Sequence, residues 1–151
     1  MTAAQAMTII NRPGSFGILA TVGPGGESNA ALFASARMPD ERTLALGLGE
    51  NRSLEYLRGN PHATFLVYEP GNNPLLWQGF RLYLRVRALA DSGHLLEGIV
   101  TQVTTEAGSM VAQTLRAAVL FDITAIRPLI ERPRHRRRGD TTGGARLDFP
   151  E

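Results

Sequence analysis

Apolar and polar residues alternate with period two over residues 80–88. Phe80, Leu82, Leu84, Val86 and Ala88 fall on one side, and Arg81, Tyr83, Arg85 and Arg87 on the other. Successive side chains of a strand point to opposite faces, so this segment predicts a half-buried β-strand. Residues 16–22 form an apolar run that ends in Gly23, Pro24, Gly25 and Gly26. A run so bounded predicts a strand entering a hairpin. Residues 28–38 follow as the second strand, long enough to need a bend, and 43–48, 63–68 and 119–126 read as three more. Helical spacing appears at 3–10, at 53–58 and over 94–102, where Leu95, Leu96, Ile99, Val100 and Val103 form a stripe. Asn11 to Gly14 stop the first helix, Gly59, Asn60 and Pro61 the second, and Gly108 interrupts the third. Six strands separated by turns predict a mainly β domain, a six-stranded antiparallel barrel with Greek-key-like order and short peripheral helices.

Composition narrows the chemistry. The 151 residues suffice for one domain with its own core. They include no cysteine, which excludes disulfides, thiolate catalysis and Cys-ligated metal. No apolar run reaches the length of a membrane span, and the N-terminus lacks a secretory pattern, so a cytoplasmic location is expected by default. All sixteen basic residues are arginine. Residues 1–126 hold nine of them against ten acids, a net of −1; residues 127–151 hold seven against four, a net of +3. The basicity therefore belongs to the tail. From Glu131 onward the chain has few apolar residues to offset its ordering entropy. The expected organisation is a folded domain over 1–130 and an Arg-rich flexible tail over 131–151.

The densest candidate chemistry lies where the strand 43–48 runs through Gly47 and Gly49 into a helix start carrying Asn51, Arg52 and Ser53. Free N–H groups at a helix N-terminus, its positive dipole end and a guanidinium together suit a phosphate. The plain alternative is a helix cap with one exposed arginine. A second polar cluster, Ser35 and Arg37, lies one strand upstream. The basic face of 81–87 reads as cross-strand salt bridges, for example to Glu27, Glu69 or Asp91. His62, His94 and His135 are scattered and match no metal-ligand spacing. No Gly-x-Ser-x-Gly elbow is present, and Ser35, Ser53 and Ser109 have no evident His partner, so a hydrolase has no support. No catalytic residue and no metal site are assigned.

Four segments in order, 16–22, 29–37, 51–61 and 79–88, resemble the FMN-binding split-barrel family that includes pyridoxamine 5′-phosphate oxidase. The Asn-Arg-Ser-Leu-x-x-Leu-x-x-Asn-Pro segment carries the most specificity. The resemblance implies a split barrel, a homodimer with FMN at the subunit interface, and an oxidoreductase or flavin electron carrier. It implies that the flavin ring lies along Phe33, Ala34, Ser35 and Ala36. The phosphate is implied at Asn51, Arg52 and Ser53, with Arg37 or Ser35 helping. Trp77, Gln78 and Gly79 are implied to approach from the partner subunit. The family's closing Trp- and Arg-containing segment has only a faint counterpart at 146–150, which argues against pyridoxamine phosphate as substrate. Related split barrels use a deazaflavin or haem, and those ligands stay open. A non-redox binding module is the other class: the basic run at 132–138 could contact nucleic acid, although the slightly acidic body makes that partner unlikely. The redox substrate is unknown.

Overall fold

A computed structural model describes residues 2–131. The expected tail therefore lies, apart from Glu131, outside the described residues. Helix α1 (Ala3–Ile10) precedes a hairpin of β1 (Gly17–Val22) and β2 (Ser28–Phe33). Strands β3 (Arg37–Asp40) and β4 (Thr43–Leu48) follow, then α2 (Arg52–Gly59) and β5 (His62–Glu69). A single 3-10 turn (Pro74–Leu76) leads to β6 (Gln78–Ala90), α3 (His94–Ala107), α4 (Ser109–Ala112) and β7 (Ala117–Pro128). Among the described residues no helix is long and apolar enough to cross a membrane.

The strands form one antiparallel sheet in the order β2-β1-β5-β6-β7-β4-β3. This corrects the expected six-stranded antiparallel split barrel. Among the described residues there are seven strands, and the sheet is open, with β2 and β3 as its two edges. The extra strand comes from residues 28–38. Residues 28–33 pair with β1, Arg37 begins the ladder with β4, and Ala34 to Ala36 belong to neither ladder.

The two edges are nonetheless close. Only three residues lie between Phe33 and Arg37, a span of at most about 14 Å. A single cluster of buried side chains takes members from every strand, including Leu19, Phe33, Met38, Leu46, Phe65, Phe80 and Phe121. A flat sheet of seven strands would be about 29 Å wide. Helices α1 and α2 have eight residues each, or about 12 Å of length. They add Ala6, Ile10, Leu54 and Leu57 to the cluster but cannot cover such a face. The sheet therefore curls around its own core and stops short of closure at the joint between β2 and β3.

Side-chain bonds help to protect the open edge. Asn11 donates from Nδ2 to the Met38 carbonyl at 2.8 Å, and its Oδ1 accepts from the Met38 N–H at 2.8 Å. Met38 in an edge strand thus has both backbone groups satisfied by one amide. At the β3–β4 turn, Asp40 accepts from the Arg42 N–H at 2.8 Å and from the Thr43 hydroxyl at 3.1 Å. These bonds, the Arg42 N–H first, hold its carboxyl below the ordinary 3.8. A carboxylate depressed by folding stabilises the fold above its unfolded pKa, and that contribution disappears as pH falls through the folded value. The denaturation midpoints of wild type and Asp40→Asn should accordingly differ at pH 7 and converge in strong acid. A gap that persists below the carboxylate range would contradict this account.

The alternation in β6 holds from Phe80 to Leu84, with the even-numbered residues buried. It then slips. Val86 lies opposite Phe121 while Ala88 lies opposite Leu120, so Arg87 is the extra residue of a bulge. Ala88, expected inside, is exposed, and Leu89 packs on the core instead. The basic residues find other acids than those expected. Arg81 pairs with Glu131 at 2.7 Å, Arg87 with Asp122 at 3.0 Å, and Glu69 with Arg12.

Outside the curled sheet, α3 and α4 cover the reverse face of β4 and β7. Ile99, Val103 and Ala112 pack there on Ala45, Ala118 and Leu115. This second, smaller cluster meets the joint between β2 and β3, where a cavity remains.

Candidate functional site

The cavity has a volume of about 330 Å³. One wall is the joint itself, through Phe33, Ala34, Ser35 and Arg37. Ser35 donates its hydroxyl to the Gly47 carbonyl at 2.9 Å, which ties the joint to β4. Ala36 is 5% exposed and belongs to the core rather than to the cavity lining. Phe33 serves both, since it lies in the core cluster and also lines the cavity.

Two glycines of β4 and its end make the floor. A Cβ on Gly47 would stand 2.8 Å from Ile99 Cγ2 and 3.1 Å from Leu115 Cδ1. One on Gly49 would stand 3.1 Å from the Thr114 carbonyl oxygen. Any larger residue would push the helical cover away from the strand. The opposite wall is that cover: Val103 and Glu106 of α3, then Val111, Thr114 and Leu115.

Arg37 and Glu106 are the charged residues of an otherwise mostly apolar lining. Arg37 Nη2 pairs with Glu106 Oε2, and Nη1 donates to the Ala36 carbonyl at 2.6 Å. The arginine side chain is 13% exposed and the glutamate 38%. Gln102, one turn earlier on α3, approaches Glu106 Oε1 at 3.4 Å. Sequence reasoning missed Glu106 and the whole far wall. The one signal available was a carboxylate near the C-terminal end of a helix, where the dipole disfavours it. The predicted end of that helix at 102 hid even this, because α3 runs on to Ala107.

The helix start behaves first as a cap. Asn51 is the N-cap of α2, and its Oδ1 accepts from the Leu54 N–H at 2.9 Å. Ser53 is 1% exposed, and its hydroxyl accepts from Asn29 Nδ2 at 3.1 Å. Arg52 is exposed and makes no ion pair among the described residues. What remains open to a ligand is the Arg52 guanidinium together with the first N–H groups of α2. Gly49 lines the cavity and Asn51 follows two residues later in the chain, but Asn51, Arg52 and Ser53 do not themselves line it.

Trp77, Gln78 and Gly79 sit elsewhere. Trp77 stacks on Tyr68, with ring centres 5.4 Å apart and planes at 11°, and donates from Nε1 to the Gly71 carbonyl at 3.1 Å. The three residues line a separate hollow of about 220 Å³ with Leu75, Pro128 and Leu129. A Cβ on Gly79 would lie 2.1 Å from the Val67 carbonyl oxygen, so that position requires glycine for packing alone. The joint residues line the first cavity, the α2 start follows Gly49 along the chain, and the Trp77 loop lines a different hollow.

No family model matches the sequence, and no curated protein matches it. Solved structures do. An FMN-binding protein from Syntrophomonas wolfei subsp. wolfei superposes with a TM-score of 0.74 at 20% identity, over 87% of this chain and 88% of that one. HutZ, the heme storage protein from Vibrio cholerae, gives 0.64 at 13% identity, over 83% and 94%. An F420 reductase gives 0.62 at 17% identity, over 80% and 94%. At these identities the likeness concerns the fold. The chain shares its fold with these solved proteins.

Proposed function

We propose that this chain binds FMN at the joint between β2 and β3 and works as a flavin-dependent oxidoreductase or electron carrier. The observation that carries this reading is the cavity at the joint, mostly apolar along its walls and lined by Gly49, two residues before the N-cap of α2. Ring and phosphate have distinct places in such an arrangement. Phe33, Ala34 and Ser35 would flank the ring, and Arg52 with the first N–H groups of α2 would hold the phosphate. Asn51 and Ser53 shape that helix start through their bonds to Leu54 and Asn29. Bound flavin would supply hydride or electron transfer, and the protein's part is to bind and orient it. No histidine lines the cavity among the described residues, which favours flavin over a haem held by an imidazole.

We also infer a homodimer. The outer face of β1 and β2 carries Ala20, Val22, Ala30 and Leu32, all exposed, with Leu32 at 66%. Contiguous apolar faces of this kind mark association surfaces. The loop of Trp77, Gln78 and Gly79, remote from its own cavity, would then contribute to the site of a second copy.

Purified protein should be yellow, with absorbance near about 450 nm from oxidised flavin. Colourless protein that takes up no added FMN would end the proposal. Arg52→Ala should weaken FMN about tenfold and leave riboflavin unchanged, because the lost contact is a charge-assisted bond to phosphate alone. Calorimetric titration of both ligands reads this directly; equal weakening would move the phosphate elsewhere.

A further inference from the structure

We propose that the Arg37–Glu106 pair marks a second anion position in the cavity, where Glu106 holds the place that a carboxylate or phosphate of a small-molecule substrate takes. Four observations lead there. First, the pair is the charged feature of a mostly apolar lining with open volume beside it. A guanidinium in such a place is costly without a partner, and a carboxylate supplies one.

Second, the two partners are unequally held. Arg37 is 13% exposed and anchored by the Ala36 carbonyl at 2.6 Å, whereas Glu106 is 38% exposed and has besides, among the described residues, only a longer 3.4 Å bond from Gln102. The glutamate can rotate into solvent about its own side-chain bonds; the arginine stays. Third, Glu106 sits in the last turn of α3, where the helix dipole disfavours a carboxylate. Its tie to Arg37, sixty-nine residues away, runs against that local preference. Such a partner is easily exchanged for an incoming anion.

Fourth, the position is distinct from the proposed phosphate site. Arg37 lies opposite Ala45 in the β3–β4 ladder, four residues before Gly49. About 13 Å of strand separates them. An anion at the start of α2 and one at Arg37 would therefore occupy distinct positions. The inference rests on the flavin reading only for what occupies the α2 end. The planar bidentate fork of arginine suits carboxylate and phosphate alike, so an acidic substrate of either kind is the expected class.

The full chain, as purified, is titrated with benzoate, phenylphosphate and neutral benzamide. In Glu106→Gln at least one of the two anions should bind about tenfold tighter than in wild type, because a competing charged partner has been removed. Benzamide should be unchanged, and Arg37→Met should abolish the preference for anions. Whichever anion tightens more identifies carboxylate or phosphate as the favoured group. Unchanged anion binding in Glu106→Gln, an equal gain for benzamide, or no anion binding in either protein would overturn the proposal. FMN and riboflavin titrations of Glu106→Gln add a further arm. A gain confined to FMN would put the cofactor phosphate on Arg37 and would also overturn it. Failure of the flavin reading looks different: the chain binds no flavin at all, and the anion titrations then decide this inference by themselves.

Discussion

Phe80→Ala is expected to lower the free energy of unfolding by about 3–5 kcal/mol, a large share of the roughly 5–15 kcal/mol that holds a domain together. Phe80 is fully buried in β6, between Val67 of β5 and Pro128 of β7. It belongs to the single cluster to which all seven strands contribute. An open sheet has no ladder to hold its edges together, so its curl depends on filling that interior. Removing a phenyl ring leaves a void that the surrounding members of that cluster cannot fill without changing rotamer. Urea denaturation at neutral pH measures the effect, with Met110→Ala as the reference. Met110 is 83% exposed, so its truncation should cost no more than about 0.5 kcal/mol. A loss at Phe80 as small as that at Met110 would mean that the sheet does not depend on one shared core.

Much of this architecture is legible along the chain because it is local. The β1–β2 hairpin follows from glycines and proline between two apolar runs, and α1 has its expected bounds. The alternation in β6 is visible as far as Val86. It fails at Arg87 because a bulge is a relation between two strands, and Arg87 alone gives no sign of it. The larger error, a split barrel of six strands, has the same origin. Residues 28–38 carry a continuous strand-like pattern, yet 28–33 pair with β1 and Arg37 already begins the ladder with β4. Which ladder a residue joins depends on partners far away in sequence, and the three residues between the ladders look no different from their neighbours.

The site divides in the same way. The helix start at Asn51 is readable because a cap is a local motif, and the structure bears out that bonding. The burial of Ser53 against Asn29 is long-range and was not readable. Gly47 and Gly49 were legible only as turn residues. Their use as a floor beneath Ile99, Leu115 and Thr114 needs the helical cover, which arrives some fifty residues or more later. Glu106 shows the limit most clearly. Its partner Arg37 is sixty-nine residues away, and nothing near either residue announces the other.

Ala34→Trp is expected to abolish FMN binding, by more than about 100-fold, or roughly 2.7 kcal/mol, while leaving the fold intact. Ala34 lies in the joint between β2 and β3, outside both ladders, and is exposed while lining the cavity. No core contact is lost when its methyl group is replaced, and the added indole has open volume to enter. An aromatic side chain there finds an apolar surface in Phe33, Val103 and Leu115, so occupation of the cavity is favourable. The flavin ring would have to displace it and forfeit that burial. The thermal midpoint should therefore be unchanged or slightly raised, which separates blocked binding from unfolding. The variant should also fail to bind riboflavin, because the obstruction is at the ring; in Arg52→Ala riboflavin binding is spared. Two substitutions with opposite signatures thus test the two halves of the proposed site independently. If Ala34→Trp is folded and still takes up FMN at wild-type affinity, the flavin is not in this cavity.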